Sequence, residues 1–219
     1  MTEPATSTRL SRERIVEVAL EIAAREGVEA ISMRRLAQQL GVWPMSVYRH
    51  FRDKEDLLDA VVGGAARQIP LPDGSRPWRV ELRELMAAGR TALGRAPNGL
   101  GGRVGPALAT PGLLRFSEAG MRTLMRAGLG PAGAAGAWRA LCSYTFGFDG
   151  VGLREAEPEA RRRLRAAVAA LPESDFPALA EAGGELGAAL GRESEFGAGL
   201  ELLLDGLESR LASAAATAR

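Results

Sequence analysis

The chain has 219 residues, with 28 lysines and arginines against 27 aspartates and glutamates, a net charge of +1. That length holds two modest domains or one large one, and the even balance excludes a general polyanion binder, so affinity for nucleic acid has to come from a local patch. One cysteine, Cys142, excludes an internal disulfide, and there is neither a signal-peptide pattern nor an apolar run of membrane length; a cytoplasmic protein without a membrane partner is expected.

Residues 1–8 are polar and include Pro4, which predicts a disordered tail. Ser11 then caps a helix, with Leu10 and Ile15 as its staple, and Ile15, Val18, Ala19, Ile22 and Ala23 recur at helical spacing up to Gly27. Arg9, Arg12 and Arg14 read equally as a basic arm for DNA or as a solvated helix start. The stretch from Ser32 to Leu58 carries the clearest signal. Ser32 caps a short helix with Leu36, Ala37 and Leu40 inward, and Ile31 staples against Leu36. Gly41 ends that helix in a left-handed position. Pro44 suits the first turn of another, where its missing N–H had no partner anyway. Val47 and Phe51 lie four apart and point inward, turning Met45, Ser46, Arg49 and Arg52 outward. This is helix-turn-helix spacing, and the second helix of such a unit, here Pro44 to Phe51, enters the DNA major groove.

The outward residues fit that partner. Arg34 has the fork for guanine O6 and N7, Pro44 and Met45 offer apolar surface to thymine methyls, and Ser46 suits a base or a phosphate. Tyr48, His50 and Lys54 flank the helix where phosphates run, and Lys54 follows the cap Asp53 in a first turn whose N–H groups attract anions. The segment MRRLAQQLGVWPMSVYRHFRDKEDLLDAV resembles the DNA-binding domain of the tetracycline repressor family of bacterial regulators. The likeness lies in the LA..LGV run, the Ser-hydrophobic-Tyr-x-His-Phe core and the Lys-x-x-Leu-Leu after it. It implies that Arg34, Pro44, Met45, Ser46, Tyr48, Arg49, His50 and Lys54 touch DNA. Trp43 departs from the pattern, since many members have a serine cap there. An indole cannot cap in that way, so Trp43 either packs against the domain or reaches DNA.

Beyond Lys54, Leu57, Leu58, Val61 and Val62 give a fourth helix, weakened by Gly63 and Gly64, and the run Ile69-Pro70-Leu71-Pro72-Asp73-Gly74 breaks the chain. A helix-turn-helix domain over 1–66 and a second domain over 67–219 are therefore expected. Pro77 restarts helix, with Trp78, Leu82, Leu85, Met86, Gly89 and Leu93 on one face. The glycine-rich GLGGRV that follows fails the dinucleotide-binding pattern and follows no strand. Pro111 opens a helix striped by Leu114, Ser117, Met121, Leu124 and Met125. A long helix from about Ala132 to Leu153 aligns Trp138, Leu141, Cys142, Thr145 and Asp149. The carboxylate of Asp149 is paired or exposed, or else orients a ligand or a subunit contact. Arg161 to Arg163 and Arg165, among glutamates, read as a solvated face. Residues 172–191 predict a loose connection with one short helix. The last helix starts at the cap Ser194 and carries a seam of Phe196, Leu200, Leu203, Leu204, Leu207 and Leu211. It is similar to the final helix of tetracycline-repressor-like C-terminal domains.

No stretch reads as strand, so the expected fold is all-α: a three-helix N-terminal domain with a helix-turn-helix, then a helical C-terminal domain for ligand binding and dimerisation. The leucine seam and the small residues Gly133, Ala134, Gly136 and Ala137 suggest a four-helix contact between two copies, with Trp138, Leu200, Leu204, Leu207 and Leu211 at the interface. The single histidine, His50, belongs to the reader, and no nucleophile–base pair or His/Cys cluster stands out, so neither enzyme chemistry nor a metal or cofactor is expected. Trp78, Met86, Met121, Met125, Trp138 and Phe148, with Asp149, are expected to line an adaptable pocket for a small apolar or aromatic effector, although each alone also suits a core. The tetracycline repressor holds its drug as a magnesium chelate with histidine help, so the resemblance does not extend to that ligand. The expected function is a homodimeric repressor released from a palindromic double-stranded DNA operator by a small molecule. The alternative is a helical interaction or non-specific DNA-binding protein without a switch.

Overall fold

The computed structural model describes residues 10–94, 100–148, 158–189 and 193–217. These residues form helices and no strand: α1 (Arg12–Glu26), α2 (Met33–Leu40), α3 (Pro44–Tyr48), α4 (Lys54–Arg67), α5 (Trp78–Gly89), α6 (Pro111–Arg126), α7 (Pro131–Gly147), α8 (Pro158–Ala169), α9 (Pro177–Ala189) and α10 (Glu193–Thr217). The chain packs as two compact units. One holds the described residues up to Leu71 with Ala88–Ala119, the other Pro72–Ala87 with the described residues from Gly120 onward. The predicted tail over 1–8 and Asp149 lie outside the described residues.

In the first unit the caps are where the sequence puts them. The Ser11 hydroxyl accepts from Arg14 N at 3.1 Å, Ser32 from Arg35 N at 3.2 Å, and the Asp53 carboxylate from Asp56 N at 2.8 Å. Each satisfies a backbone donor that the helix itself leaves unpaired. Ile15, Ile22, Ile31, Leu36, Val47, Phe51, Leu57 and Val61 are almost completely buried between these helices. Sealing each such side chain from water contributes about 1.5–3 kcal/mol before entropy is counted.

Gly63 and Gly64 differ from their reading as weak points of α4. Both are buried and serve as contact points. A Cβ on Gly64 would meet Val16 at 2.6 Å, and one on Gly63 would meet Thr110 at 2.8 Å. From the other side, a Cβ on Gly112 would stand 1.9 Å from the Gly63 carbonyl oxygen. Here α4 and the start of α6 cross backbone to backbone, which only glycine permits.

The expected α6 stripe holds only in part: Leu124 is buried, and Ser117 and Met121 are half-buried. The buried face of α6 is Gly112, Leu113, Phe116, Ala119, Gly120, Thr123 and Leu124, while Leu114 and Met125 face outward. Leu113 and Phe116 share that face with Gly112, Ala119 and Gly120, small residues where other helices approach closely. In the second unit a Cβ on Gly120 would meet the Trp138 ring at 2.0 Å, so α6 and α7 are in close contact as well.

α7 buries Trp138, Leu141 and Thr145 of the expected stripe, together with Ala134, while Cys142 is half-buried. Tyr144, Phe148 and Phe196 form an aromatic trio with centroids 5.5–5.6 Å apart, and the Tyr144 hydroxyl donates to Phe196 O at 2.9 Å. α10 already includes Glu193, so Ser194 lies inside the helix and does not cap it. Arg79 on α5 pairs with Glu201 at 2.7 Å, Glu208 at 2.9 Å and Asp205, and Arg83 pairs with Glu201 too, tying α5 to α10. The fully buried Glu81 side chain accepts from Gly74 N at 3.0 Å, Arg76 N at 3.2 Å and Arg126, folding the 74–76 loop down onto α5. Arg162 and Arg163 are exposed and paired with Glu159 on α8, the solvated face anticipated.

Candidate nucleic-acid interface

The α2–α3 turn is closed by a paired backbone motif. Gly41 adopts φ +67°, ψ +31°, Val42 N donates to Ala37 O at 2.9 Å, and Gly41 N donates to Gln38 O at 3.2 Å. This is the Schellman arrangement, which needs a residue tolerant of positive φ. α3 follows with Pro44 at its first position. Its regular helix is shorter than Pro44 to Phe51 and ends at Tyr48, but Arg49, His50 and Phe51 continue it as turns, bonding to Met45 O and Val47 O at 2.9–3.2 Å. Val47 and Phe51 are buried, which fixes the rotation of the segment.

That rotation decides what faces water. Arg34, Pro44, Met45, Tyr48 and Arg49 are exposed, while Ser46, His50 and Lys54 are half-buried. Met45 is 70% and Tyr48 46% exposed, high for large side chains. Trp43 is 83% exposed and makes no capping hydrogen bond, so it does not pack against the domain.

Sequence reasoning missed the residue that steadies this segment. Arg12, at the start of α1, donates to the His50 carbonyl at 2.6 Å and to Asp56 Oδ1 at 2.9 Å, and its guanidinium lies 4.1 Å from the Phe51 ring centroid. Its side chain, 45% exposed at the helix start, thus has partners within the domain that neither reading of the sequence, basic arm or solvated end, supplies. The hydrogen bond from Arg12 holds the Asp56 carboxyl below its ordinary range, against burial, and the Arg52 N–H adds to the effect. Asp56 N in turn donates to the Asp53 cap, so α1, the end of the reader and α4 are joined through polar contacts. No local pattern marks Arg12 for this role, because its partners lie some forty residues away.

Of the residues expected to line a ligand pocket, Met86 and Trp138 are buried, Trp78, Met121 and Phe148 are half-buried, and Met125 is 46% exposed. Thr145 Oγ1 lies 3.3 Å from Met86 Sδ, so this pair is packed core. A cleft of about 480 Å³ lies elsewhere, in the first unit, lined by residues such as Arg12, Glu13, Asp56, Asp59, Arg67 and Thr110. The expected dimer seam is divided. Trp138, Leu200 and Leu204 are buried within the chain; Leu207 and Leu211 are half-exposed. Phe196, Leu200 and Leu204 fill the chain's own core, so the open face of α10 is the one bearing Ala198, Leu202 and Asp205.

Cys142 is half-buried, and burial pushes its thiol up to about 12. Among the described residues no group of three or more His, Cys, Asp or Glu is placed to hold a metal ion, and no helix is long and apolar enough to cross a membrane.

A capped helix-turn-helix with basic and apolar side chains turned outward, followed by a helical C-terminal region, is the arrangement of a DNA-binding regulator. Comparison with known proteins narrows that class. Residues 15–61 match the family described as bacterial regulatory proteins, tetR family, and residues 71–211 match the tetracyclin repressor-like C-terminal domain. An HTH-type transcriptional regulator of Saccharopolyspora erythraea is 33% identical over 179 residues, covering 80% of this chain and 75% of that one. The class C tetracycline repressor protein of Escherichia coli is 29% identical over 204 residues, 91% of each chain. The crystal structure of the TetR family protein ActR of Streptomyces coelicolor in complex with (S)-DNPA superposes with a TM-score of 0.80 at 26% identity, covering 94% of this chain and 99% of that one. The chain belongs to the TetR family and is a transcriptional regulator with an N-terminal DNA-binding domain and a C-terminal ligand-binding domain.

Proposed function

We propose that this protein is a homodimeric cytoplasmic repressor, held on a near-palindromic DNA operator by α3 and released by a small apolar or aromatic ligand that needs no metal. Residues 1–66 act as the DNA-binding head and residues 67–219 carry effector binding and dimerisation. The carrying observation is the orientation of α3. With Val47 and Phe51 inside, Arg34, Pro44, Met45, Tyr48 and Arg49 are left for the groove, with Ser46, His50 and Lys54 beside them. In these roles Arg34 reads guanine, Pro44 and Met45 meet thymine methyls, and the remaining residues position the head on phosphates.

The open faces of α7 and α10 support a dimer. Gly133, Ala135, Gly136, Arg139 and Ala140 are exposed on α7, and Leu202 on α10 is 73% exposed. Small residues let a second copy approach closely, and a leucine left in water gains by burial. Two readers related by a two-fold axis address half-sites about 34–36 Å apart. The relative solved with (S)-DNPA supports an organic ligand here as well. Such a ligand lowers operator affinity about 100-fold if it favours the released form by about 2.7 kcal/mol.

The test is retention of genomic fragments by the purified protein, followed by titration of the recovered duplex. Arg34→Ala and Tyr48→Ala should lose that duplex while remaining folded dimers. Binding that falls steeply with salt but ignores sequence would refute the repressor reading.

A further inference from the structure

We infer that Trp43 is a specificity residue of the reader, packing its indole face against the C5-methyl of a thymine and the adjoining deoxyribose in the major groove. The inference rests on the operator-binding function proposed above and adds one contact to it.

Three observations carry it. First, Trp43 is 83% exposed and does nothing visible for the fold: the turn is closed by Gly41 and Val42, the rotation of α3 is set by Val47 and Phe51, and the indole caps nothing. Second, Trp43, Pro44 and Met45 form three consecutive exposed apolar residues. A run like that is unfavourable in water and persists where a partner covers it. Third, the run lies at the entry of the reader, where residues of a helix-turn-helix meet base edges. The exposed Arg49 follows Met45 by one helical turn, and Arg34 is exposed as well.

The surrounding charge selects the occupant. An apolar patch beside arginines suits a surface that is anionic at its rim and apolar at one point. The major groove is such a surface, with phosphates along its edges and the thymine methyl as the apolar group on its floor. A flat indole covers more of that methyl and its sugar than a small side chain would, so thymine at the facing step becomes a requirement.

The experiment uses the full-length protein and the duplex recovered by genomic retention. Trp43→Ala should bind that duplex at least about 10-fold more weakly, the scale of one lost base contact. Its unfolding midpoint should match the wild type, because the side chain is in water. Trp43→Phe should restore most of the affinity. The wild type should change its tryptophan emission on binding and Trp43→Phe should not. Replacing the facing thymine by uracil removes only the methyl; it should cost the wild type about 4-fold, the worth of one buried methyl, and leave Trp43→Ala unaffected. Failure of the wild type to prefer any duplex would sink the DNA-binding reading itself. If the wild type is specific but Trp43→Ala binds equally well, or loses as much on the uracil duplex as the wild type does, this inference alone fails. A shifted oligomeric state or unfolding midpoint in Trp43→Ala, without loss of operator affinity, would likewise overturn it.

Discussion

The crossing of α4 and α6 gives the most demanding test of the packing. A methyl added at Gly112 would stand 1.9 Å from the Gly63 carbonyl oxygen, 2.9 Å from its carbonyl carbon and 3.1 Å from Arg67 N. A carbon–oxygen contact settles at about 3.3–3.6 Å, so the two segments must part by roughly 1.4 Å or more. All three neighbours are backbone atoms, and no side-chain rotation relieves the clash. Overpacking costs typically about 1–3 kcal/mol, and a rigid backbone neighbour puts Gly112→Ala at the upper end. The helical preference of alanine over glycine returns about 1 kcal/mol at most. The net loss is about 2–3 kcal/mol, which for a chain of this size lowers Tm by roughly 4–12 °C. Thermal and urea unfolding followed by circular dichroism read this directly. Gly41→Ala is the control, since nothing lies within 4 Å of its Cβ and its cost is the positive φ alone, about 1–2 kcal/mol. If Gly112→Ala proves no more harmful than Gly41→Ala, the backbone crossing is wrong.

Three further outcomes follow from other parts of the molecule. Arg12→Ala should cost about 1 kcal/mol or less in global stability, since its ion pair with Asp56 is partly in water. It should nevertheless speed amide exchange at His50–Arg52 and weaken operator binding; unchanged exchange there would contradict its bracing role. Acid should destabilise the fold through three carboxyls held low. Asp56 is lowered by Arg12; burial would raise Glu81, but Arg126 and the Arg76 and Gly74 N–H groups outweigh it; Arg83 leads in holding Glu201 at about 2. A carboxyl that takes up its proton less readily when folded favours the fold above its unfolded pKa, and that contribution fades as pH falls. Urea midpoints should therefore drop below about pH 4.5, with a shallower slope in Glu201→Gln; a profile level down to pH 3 would refute the assignment. Finally, Leu202→Glu should leave the chain folded and shift sedimentation toward monomer, and a persistent dimer would place the interface elsewhere.

The head was legible because its signals are local. Ser11, Ser32, Asp53, Gly41 and Pro44 each act within four residues of their place in the chain, and those distances are fixed by helix geometry. The reader's outward set follows once Val47 and Phe51 are turned in. Closely packed helices were harder to read. At Gly63, Gly112 and Gly120 the contact is made by an absent side chain, and the expected α6 stripe placed Leu124 correctly but included the exposed Leu114 and Met125 in place of the buried Leu113 and Phe116. The α10 seam divides for a related reason: a leucine-rich stripe looks alike whether it faces its own core or a second copy. Arg12 escaped notice because an arginine beside a helix cap looks solvated until Phe51 and Asp56 are brought beneath it.

The lone sulfhydryl on α7 makes the protein convenient for spectroscopy. With its pKa near 12, almost none of Cys142 is ionised at neutral pH, and the thiolate is the form that reacts with maleimides and iodoacetamides. A cysteine placed in water just beyond the reader, as in Arg52→Cys, would carry a fluorophore or spin label essentially alone. Motions of the head could then be followed without first removing the native residue.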